Sequence, residues 1–489
     1  MNEHECGSSS VETSRRKFLQ SIGALTFAGA TAGLLPALTR GQAPKSKQPP
    51  NVIIILSDDL GWGDLGCYGQ TKIKTPVLDR MAAEGMRFTD AYAGSAVCAP
   101  SRSCLLTGQH TGHTPIRANP ESAPAWDRKS FGDVALPEGT LTIAASGKAA
   151  GYATACIGKW GMGRPPTSGN PLKQGFDYHF GYLDHLAAHN YYPEFLWRNN
   201  EKVPLAKGQY SHDVIWDDAM RWVRDQGQKP FFLYLTPTIP HSKLNPPSVE
   251  PYADTDWKQP DKSYAAMVTR MDKDIGRLLD LLREMKIDQN TLVLFTSDNG
   301  THSAGRSPKF LQSSGPLHGE KRDLYEGGVR VPLIVRWPDR LKPGTTSDLV
   351  TANWDFFATF NDLLGAAPPA NTDGVSILPT LEGRPQDQKQ HEYLYWEFYE
   401  QGGKQAVRLG KYKGVRLNVS RNADAPIELY DLSQDLGETR NIAADHADIV
   451  ARINQIMKTA RVPARLFPLL PAEQPTGKPA TTESAPAGD

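Results

Sequence analysis

NVIIILSDD, residues 51–59, is an unbroken apolar run that ends abruptly on a serine and two aspartates. A strand with one wet face alternates polar and apolar residues, whereas a strand covered on both faces in a parallel sheet reads as a near-continuous hydrophobic stretch. Three further runs share this texture: FFLYL (231–235), TLVLFTS (291–297) and VPLIVRW (331–337). Helical patterns lie between them. In VTRMDKDIGRLLDLLREM (268–285), Met271, Ile275, Leu278, Leu279 and Leu282 recur at helical spacing with charges on the other side. Covered strands alternating with amphipathic helices predict an α/β sandwich around a large, mostly parallel sheet.

Composition sets bounds on function. A chain of 489 residues, 39% of them hydrophobic, can bury one large core and a smaller lobe. Lys plus Arg and Asp plus Glu both total 54, so no bulk field draws nucleic acid or an anionic membrane, and no nucleic-acid partner is expected. SRRKFL (14–19) precedes a Gly- and Ala-rich apolar run from Ile22 to Leu38 and then Gly41-Gln42-Ala43. That pattern reads as a twin-arginine export signal over residues 1–43, cleaved near Ala43. It makes the twin-arginine translocase a partner and the mature protein periplasmic or secreted. No later stretch is long and apolar enough to span a bilayer, so no stable membrane association is expected. Cys67, Cys98, Cys104 and Cys156 remain after the signal, too few for a disulfide framework and without zinc-ligand spacing.

After about Arg384 the texture changes. HEYLYWEFYE (391–400), KQAVRLGKYKGVRL (404–417) and PIELYDLSQD (426–435) are short strand-like runs between turn residues, which predicts a small antiparallel lobe over residues 386–462, closed by a helix near Ile449–Lys458. The Pro/Ala/Thr-rich stretch 463–489 is expected to be disordered.

Two of the covered strands end in oxygen donors: Ser57-Asp58-Asp59 and Ser297-Asp298-Asn299. In open α/β sheets the ligand crevice lies at the carboxyl ends of the strands. Asp58, Asp59, Asp298 and Asn299, with no thiol or imidazole among them, suit a hard cation, calcium before magnesium. A single Asp-Asp pair after a strand is ordinary turn chemistry. Two such pairs after two covered strands favour the metal.

GSAVCAPSRSCLLTGQHTGH (94–113) raises a different question. Ser101 is a good helix cap and Gly108 a good stop, so RSCLLTG is expected to form a helix from Arg102. Cys98 would then sit just before a helix start, beside unpaired amides and the positive dipole end, a place suited to an anionic reaction centre or to a low-pKa thiolate nucleophile.

Cys98-Ala99-Pro100-Ser101-Arg102, continued by Leu106-Thr107-Gly108, resembles the signature of the type I sulfatases. NVIIILSDDLGWGDLGCYG (51–69), GKWG (158–161), PH (240–241), SDNG (297–300), YEGGVRVPLIVRWP (325–338) and ELYDLSQDLGETRNIA (428–443) follow in that family's order, so the resemblance runs from about Pro50 to Asp445. It implies the alkaline-phosphatase-like α/β fold, with a sulfatase catalytic domain over residues 44–385, and a sulfuric ester hydrolase that releases inorganic sulfate. It further implies that a formylglycine-generating enzyme oxidises Cys98 to formylglycine, whose aldehyde hydrate attacks sulfur. Asp58, Asp59, Asp298 and Asn299 become the ligands of one calcium ion, completed by an oxygen of the modified Cys98. Arg102 takes the role of stabilising the hydrate. Lys159 and Lys321 neutralise sulfate oxygens, and His241 lies by the leaving alcohol as a proton donor; these three are the substrate-binding set.

The chain departs from the family at two points. Many members read GKWH where Trp160 is here followed by Gly161, which removes a histidine expected beside the nucleophile. His110, His113 and His189 are candidates to replace it, with His113 preferred. Lys243 stands where a proline often follows PH-x. AAHNYYPEFLWRNN (187–200), rich in aromatics, Asn and Arg, suits stacking on sugar rings and points to a sulfated carbohydrate, although core packing explains the same residues. Two other readings stay open: a phosphonate or phosphate ester hydrolase of the same fold, and a non-catalytic glycan-binding protein in which Cys98 is never oxidised.

Overall fold

The computed structural model describes residues 48–123, 126–303 and 305–474; the expected export signal and residues 475–489 lie outside them. Along the chain the strands are β1 (Asn51–Ser57), β2 (Met86–Phe88), β3 (Ala91–Tyr92), β4 (Ala153–Lys159), β5 (Tyr178–Tyr182), β6 (Phe195–Arg198), β7 (Glu201–Pro204), β8 (Phe231–Thr236), β9 (Thr291–Ser297), β10 (Leu333–Arg336), β11 (Thr345–Ser347), β12 (Thr351–Ala352), β13 (Leu394–Phe398), β14 (Lys404–Leu409), β15 (Tyr412–Leu417) and β16 (Ile427–Asp431). Ten of them make one sheet in the order β11-β2-β10-β9-β1-β8-β4-β5-β6-β7. The centre, β9-β1-β8-β4-β5, is parallel throughout.

The apolar runs are continuous because alternate residues feed two different cores. Ile53 and Ile55 of β1, Leu233 and Leu235 of β8, and Val293 and Phe295 of β9 enter one cluster. Val52, Ile54 and Leu56, Phe232 and Tyr234, and Leu292 and Leu294 enter the other. Each face is covered by amphipathic helices: Gln259–Glu284 gives Met271, Ile275, Leu278, Leu279 and Leu282 to the first cluster, while Phe356, Phe357 and Phe360 of the helix Asp355–Leu363 join the second.

Two expectations about strands need correction. VPLIVRW does supply a covered strand, β10, but it runs antiparallel to both β9 and β2. β4, at the heart of the sheet, has the sequence ATACIGK, whose small and polar residues carry little of the hydrophobic signal that marks its neighbours. Its Thr154 is buried by giving its hydroxyl to Gly175 O and Asp177.

A second, four-stranded antiparallel sheet has the order β13-β14-β15-β16. The helix Ala447–Thr459 packs on it through Ile453, Ile456 and Met457. The segment expected to be disordered from residue 463 is instead packed as far as Gln474: Phe467 and Leu469 are buried, and Glu473 is bonded by the Arg461 guanidinium. Two apolar side chains and one ion pair outweigh the local Pro content there. Among the described residues, no helix is long and apolar enough to cross a membrane.

Candidate active site

The pairing of β1 with β9 sets Ser57 opposite Ser297, so the residues that follow both strands emerge side by side. They are then tied across the gap. Asp298 N–H donates to Ser57 O at 3.1 Å, Asp59 N–H to Asp298 Oδ1 at 3.2 Å, and Asn299 Nδ2 to Asp59 Oδ1 at 2.7 Å. Asp59 has φ 65, a left-handed backbone that a β-strand continuing straight would not need, and it turns the carboxylate inward. All four side chains are buried.

Three carboxylates in so small a volume repel one another, and the surrounding cations only partly answer them. Burial alone would raise Asp58, but the Lys159 ammonium and the Arg102 guanidinium hold it well below the usual carboxylate range. Asp59 is opposed by burial in the same way and is lowered to about 2 beside the Lys321 ammonium. Asp298 goes the other way: burial, then the Asp58 charge, push it up to about 7 despite Arg102. Asp58 Oδ1 and Asn299 Oδ1 are buried without a hydrogen-bond partner among the described residues. Ligand atoms of Asp58, Cys98 and Asp298 all lie within 4.8 Å of one another. Unsatisfied oxygens beside crowded carboxylates are what a bound cation relieves, so the donor set fits a divalent metal.

Cys98 is 2% exposed and opens the helix Cys98–Thr107, not the loop before it. The expectation of a helix from Arg102 capped by Ser101 is corrected here. Pro100 falls in the first turn, where no N–H is required, and the first helical bond runs from Ser101 N to Val97 O. The Ser101 hydroxyl accepts from Gly94 N–H instead of capping, while Gly108 ends the helix in the left-handed conformation as expected. Burial pushes the Cys98 thiol up against the pull of Lys159 and Lys321, which removes the low-pKa thiolate as a reading of this cysteine.

The three cations come from three different segments of the chain. Arg102, one helical turn beyond Cys98 and fully buried, donates to Asp298 Oδ2 at 2.7 Å and to Lys159 O at 2.9 Å. Lys159, at the end of β4, reaches Asp58 Oδ2 at 2.7 Å. Lys321 Nζ sits 2.9 Å from Asp59 Oδ2 and 2.9 Å from His241 Nε2. A lysine donates there, so His241 Nε2 accepts and Nδ1 carries the hydrogen toward Ser242 O. Burial lowers His241 to about 4, consistent with a neutral ring.

Cys98, His241 and Lys321 open onto a cleft of about 400 Å³ that His189, His302 and Arg322 also line. A larger hollow of about 690 Å³, lined by Lys309, Gln312, His318 and Glu320, contains none of the predicted site residues.

His113 is not among the cleft-lining residues. Its Nδ1 is held by Asp373 at 3.0 Å and its ring stacks on His110, which packs against Trp354 and Tyr395. The preference for His113 as the replacement base is corrected on that geometry. His189 does reach the cleft: its ring stacks on His241 with centroids 3.9 Å apart, and its Nε2 is buried with no partner among the described residues. Burial, with the Lys159 ammonium nearby, holds it well below the usual imidazole range, so the ring is neutral.

Sequence reasoning missed His185, His302 and Arg322. His302 lies two residues past the SDNG motif and could have been found by proximity. Arg322 has φ 77 and pairs with Glu400 from the small lobe, a contact with no local signature. In the aromatic segment, Tyr191 is buried and donates to His241 O, so it supports the site from behind and does not face a sugar.

Comparison with known proteins agrees with this arrangement. A sulfatase family model matches residues 50–366, and a model of the N-sulphoglucosamine sulphohydrolase C-terminal region matches residues 318–462. Human N-acetylgalactosamine-6-sulfatase is 32% identical over 453 residues, 87% of this chain and 83% of that one. The N-acetylgalactosamine-6-O-sulfatase of Bacteroides thetaiotaomicron is 28% identical over 508 residues, 85% of this chain and 94% of its own. Among solved structures, Ps i-CgsB in complex with k-i-k-neocarrahexaose matches with a TM-score of 0.74 at 27% identity, over 84% of this chain and 93% of that one. With acidic strand tips, a buried signature cysteine and two lysines brought together at one end of the sheet, and a family model covering most of the chain, the protein belongs to the sulfatase family and is a sulfuric ester hydrolase.

Proposed function

We propose that the protein releases inorganic sulfate from a sulfated carbohydrate outside the cytoplasm, with residue 98 as formylglycine and calcium held by Asp58, Asp59, Asp298 and Asn299. The observation that carries the reading is the pair of unpartnered buried oxygens, Asp58 Oδ1 and Asn299 Oδ1, beside Cys98 and between Lys159 and Lys321. When bound, the cation supplies positive charge that draws sulfate oxygens and acidifies a neighbouring hydroxyl. Formylglycine, when installed, supplies paired hydroxyls, one to attack sulfur and one to release the product.

The chain's own residues meet the remaining demands. A sulfate monoester brings a negative charge that must be held while an alkoxide departs. Lys159 and Lys321 hold the charge from two sides, and each is kept protonated by a carboxylate. Arg102, locked by Asp298 and Lys159 O, fixes the first turn of the helix that carries residue 98. His241 Nε2 holds the Lys321 ammonium by accepting from it, and the proton for the departing oxygen comes from that Lys321–His241 pair. The carbohydrate assignment is supported by the names of the relatives above, two of which are N-acetylgalactosamine-6-sulfatases. Export through the twin-arginine translocase and oxidation by a formylglycine-generating enzyme are parts of the same proposal.

The deciding experiment measures inorganic sulfate released from a panel of defined sulfated saccharides, with phosphate and phosphonate monoesters alongside. Release from at least one saccharide, well above any phosphorus ester, is expected. Preference for the phosphorus esters, or saccharide binding without sulfate release, would favour the two other readings.

A further inference from the structure

The cleft contains four histidines, and three of them are committed or face elsewhere. His241 is engaged at both ring nitrogens, by Ser242 O and by Lys321. His185 has its Nδ1 bonded to Asp133, whose other oxygen accepts the His185 backbone N–H at 2.7 Å. His302 has an unpartnered Nδ1 and lies three residues past Asn299, on the segment that carries the metal-ligand candidates. His189 is left with a buried, unpartnered Nε2, its ring stacked on His241 in the cleft onto which Cys98 also opens.

The chain around it explains how an imidazole comes to be there. β4 is followed by Trp160 and Gly161, whose N–H groups bond Tyr182 O at the end of β5 and Leu183 O just past it. β5 leads straight into the loop 184–190. A Cβ at Gly161 would lie 3.3 Å from His185 Cβ, so a side chain at position 161 and this loop compete for one space. The loop is pinned by Asp133 on His185, by Asp184 Oδ1 on the N–H groups of Leu186 and Ala187, and by Tyr182 OH on Asn190 O.

We propose that His189 is the proton acceptor beside residue 98, delivered by the β5–β6 loop in place of a side chain at position 161. This rests on the sulfatase reading of the site. After sulfur transfer, Nε2 of His189 takes the proton of the remaining hydroxyl on residue 98. The freed O–H pair becomes the second C–O bond of the aldehyde, the bond from that carbon to the sulfated oxygen breaks, and its pair leaves on sulfate. No oxidant or further reactant is needed.

The test uses the full, formylglycine-bearing protein with 4-nitrophenyl sulfate as probe and two readouts, nitrophenolate release and the mass of the acid-quenched peptide carrying residue 98. His189→Ala is expected to release one equivalent of nitrophenolate, retain a covalent sulfo group on that peptide, and turn over about 100-fold or more slowly. Added imidazole should restore part of the turnover, and His189→Gln, which keeps the side chain's bulk, should behave as His189→Ala. His302→Ala should retain no sulfo group. Turnover of His189→Ala within a few-fold of the parent, slow turnover without a sulfo peptide, or a sulfo peptide in His302→Ala would each overturn the assignment. A parent protein with an unmodified thiol and no nitrophenolate release would overturn the sulfatase mechanism and this assignment together, and shows before any variant is made.

Discussion

At the residue scale, the site sets three buried carboxylates against three buried cations, Arg102, Lys159 and Lys321, and still leaves Asp58 Oδ1 and Asn299 Oδ1 without a partner among the described residues. Asp58 and Asp59 are anionic at neutral pH, whereas Asp298 is raised to about 7 by burial and by Asp58. Removing the metal with a chelator should therefore abolish turnover and lower the melting temperature, and calcium should restore both. At a free ion concentration of a hundred times its Kd the stabilisation is about 2.7 kcal/mol, so a differential scanning experiment resolves it. Cys98→Ala removes the reactive group but only a small buried volume; sulfate release should vanish while the melting temperature changes little. Lys159→Met tests the charge balance directly. It strands the Asp58 carboxylate, which Lys159 reaches at 2.7 Å in a fully buried pair, and loss of one partner from such a pair costs about 3–5 kcal/mol. Denaturant unfolding of the metal-free variant should show that loss, smaller once calcium is present. Asp58, Asp59, Asp298 and Asn299 were legible because each follows a covered strand. Of the cleft histidines, His241 and His189 were named from the sequence but His185 and His302 were not, since a lone histidine in a loop carries no periodic signal and its partner lies far along the chain, as Asp133 does for His185.

At the element scale, one register and one helix place the chemistry. Ser57 opposite Ser297 brings both strand tips together, and a slip by a single residue would send every side chain of β1 to the wrong core. The helix Cys98–Thr107 then carries Cys98 and Arg102 on one face toward those tips. The strands β1, β8 and β9 could be read from sequence because their residues are apolar on both faces. β4 could not, since its cover is bought with small residues and a satisfied threonine, and the direction of β10 depends on connections that hydrophobicity does not encode. The helix start was misread because Ser101 was taken as its cap, whereas the helix opens at Cys98 with Pro100 tolerated in the first turn. Its end was read correctly, and it offers a test. Gly108 has φ 68, and a Cβ there would meet Thr372 Oγ1 at 2.5 Å and Phe357 Cδ1 at 2.9 Å. Gly108→Ala should destabilise by about 1–3 kcal/mol from strain and crowding, read as a lower denaturant midpoint with an unchanged slope.

At the scale of the whole molecule, the small antiparallel sheet is joined to the catalytic sheet by buried ion pairs that reach toward the cleft. Glu397 of β13 accepts from Arg117 and Arg461, and its backbone N–H bonds the Thr111 hydroxyl just beyond the signature helix. Glu326 is bonded by Arg330 and by Lys413 of β15, and Glu400, following β13, pairs with Arg322 at the cleft wall. Residues that line the site therefore depend on a lobe whose strands contribute no catalytic group. The segment after residue 462 closes this arrangement, because Glu473 takes up the Arg461 guanidinium while Phe467 is buried in the second core. Ending the chain after Val462 would leave Arg461 with Glu397 alone and expose the surface that Phe467 and Leu469 cover. Loss of one large aromatic from a core costs about 3–5 kcal/mol, so the truncated protein should unfold at clearly lower denaturant than the full chain. Ending it after Gln474 should leave the midpoint where it was. Equal midpoints for both truncations would show that the packed tail adds nothing to the lobe, and that the small sheet is held to the site by its other contacts, those of Glu397, Glu326 and Glu400 among them.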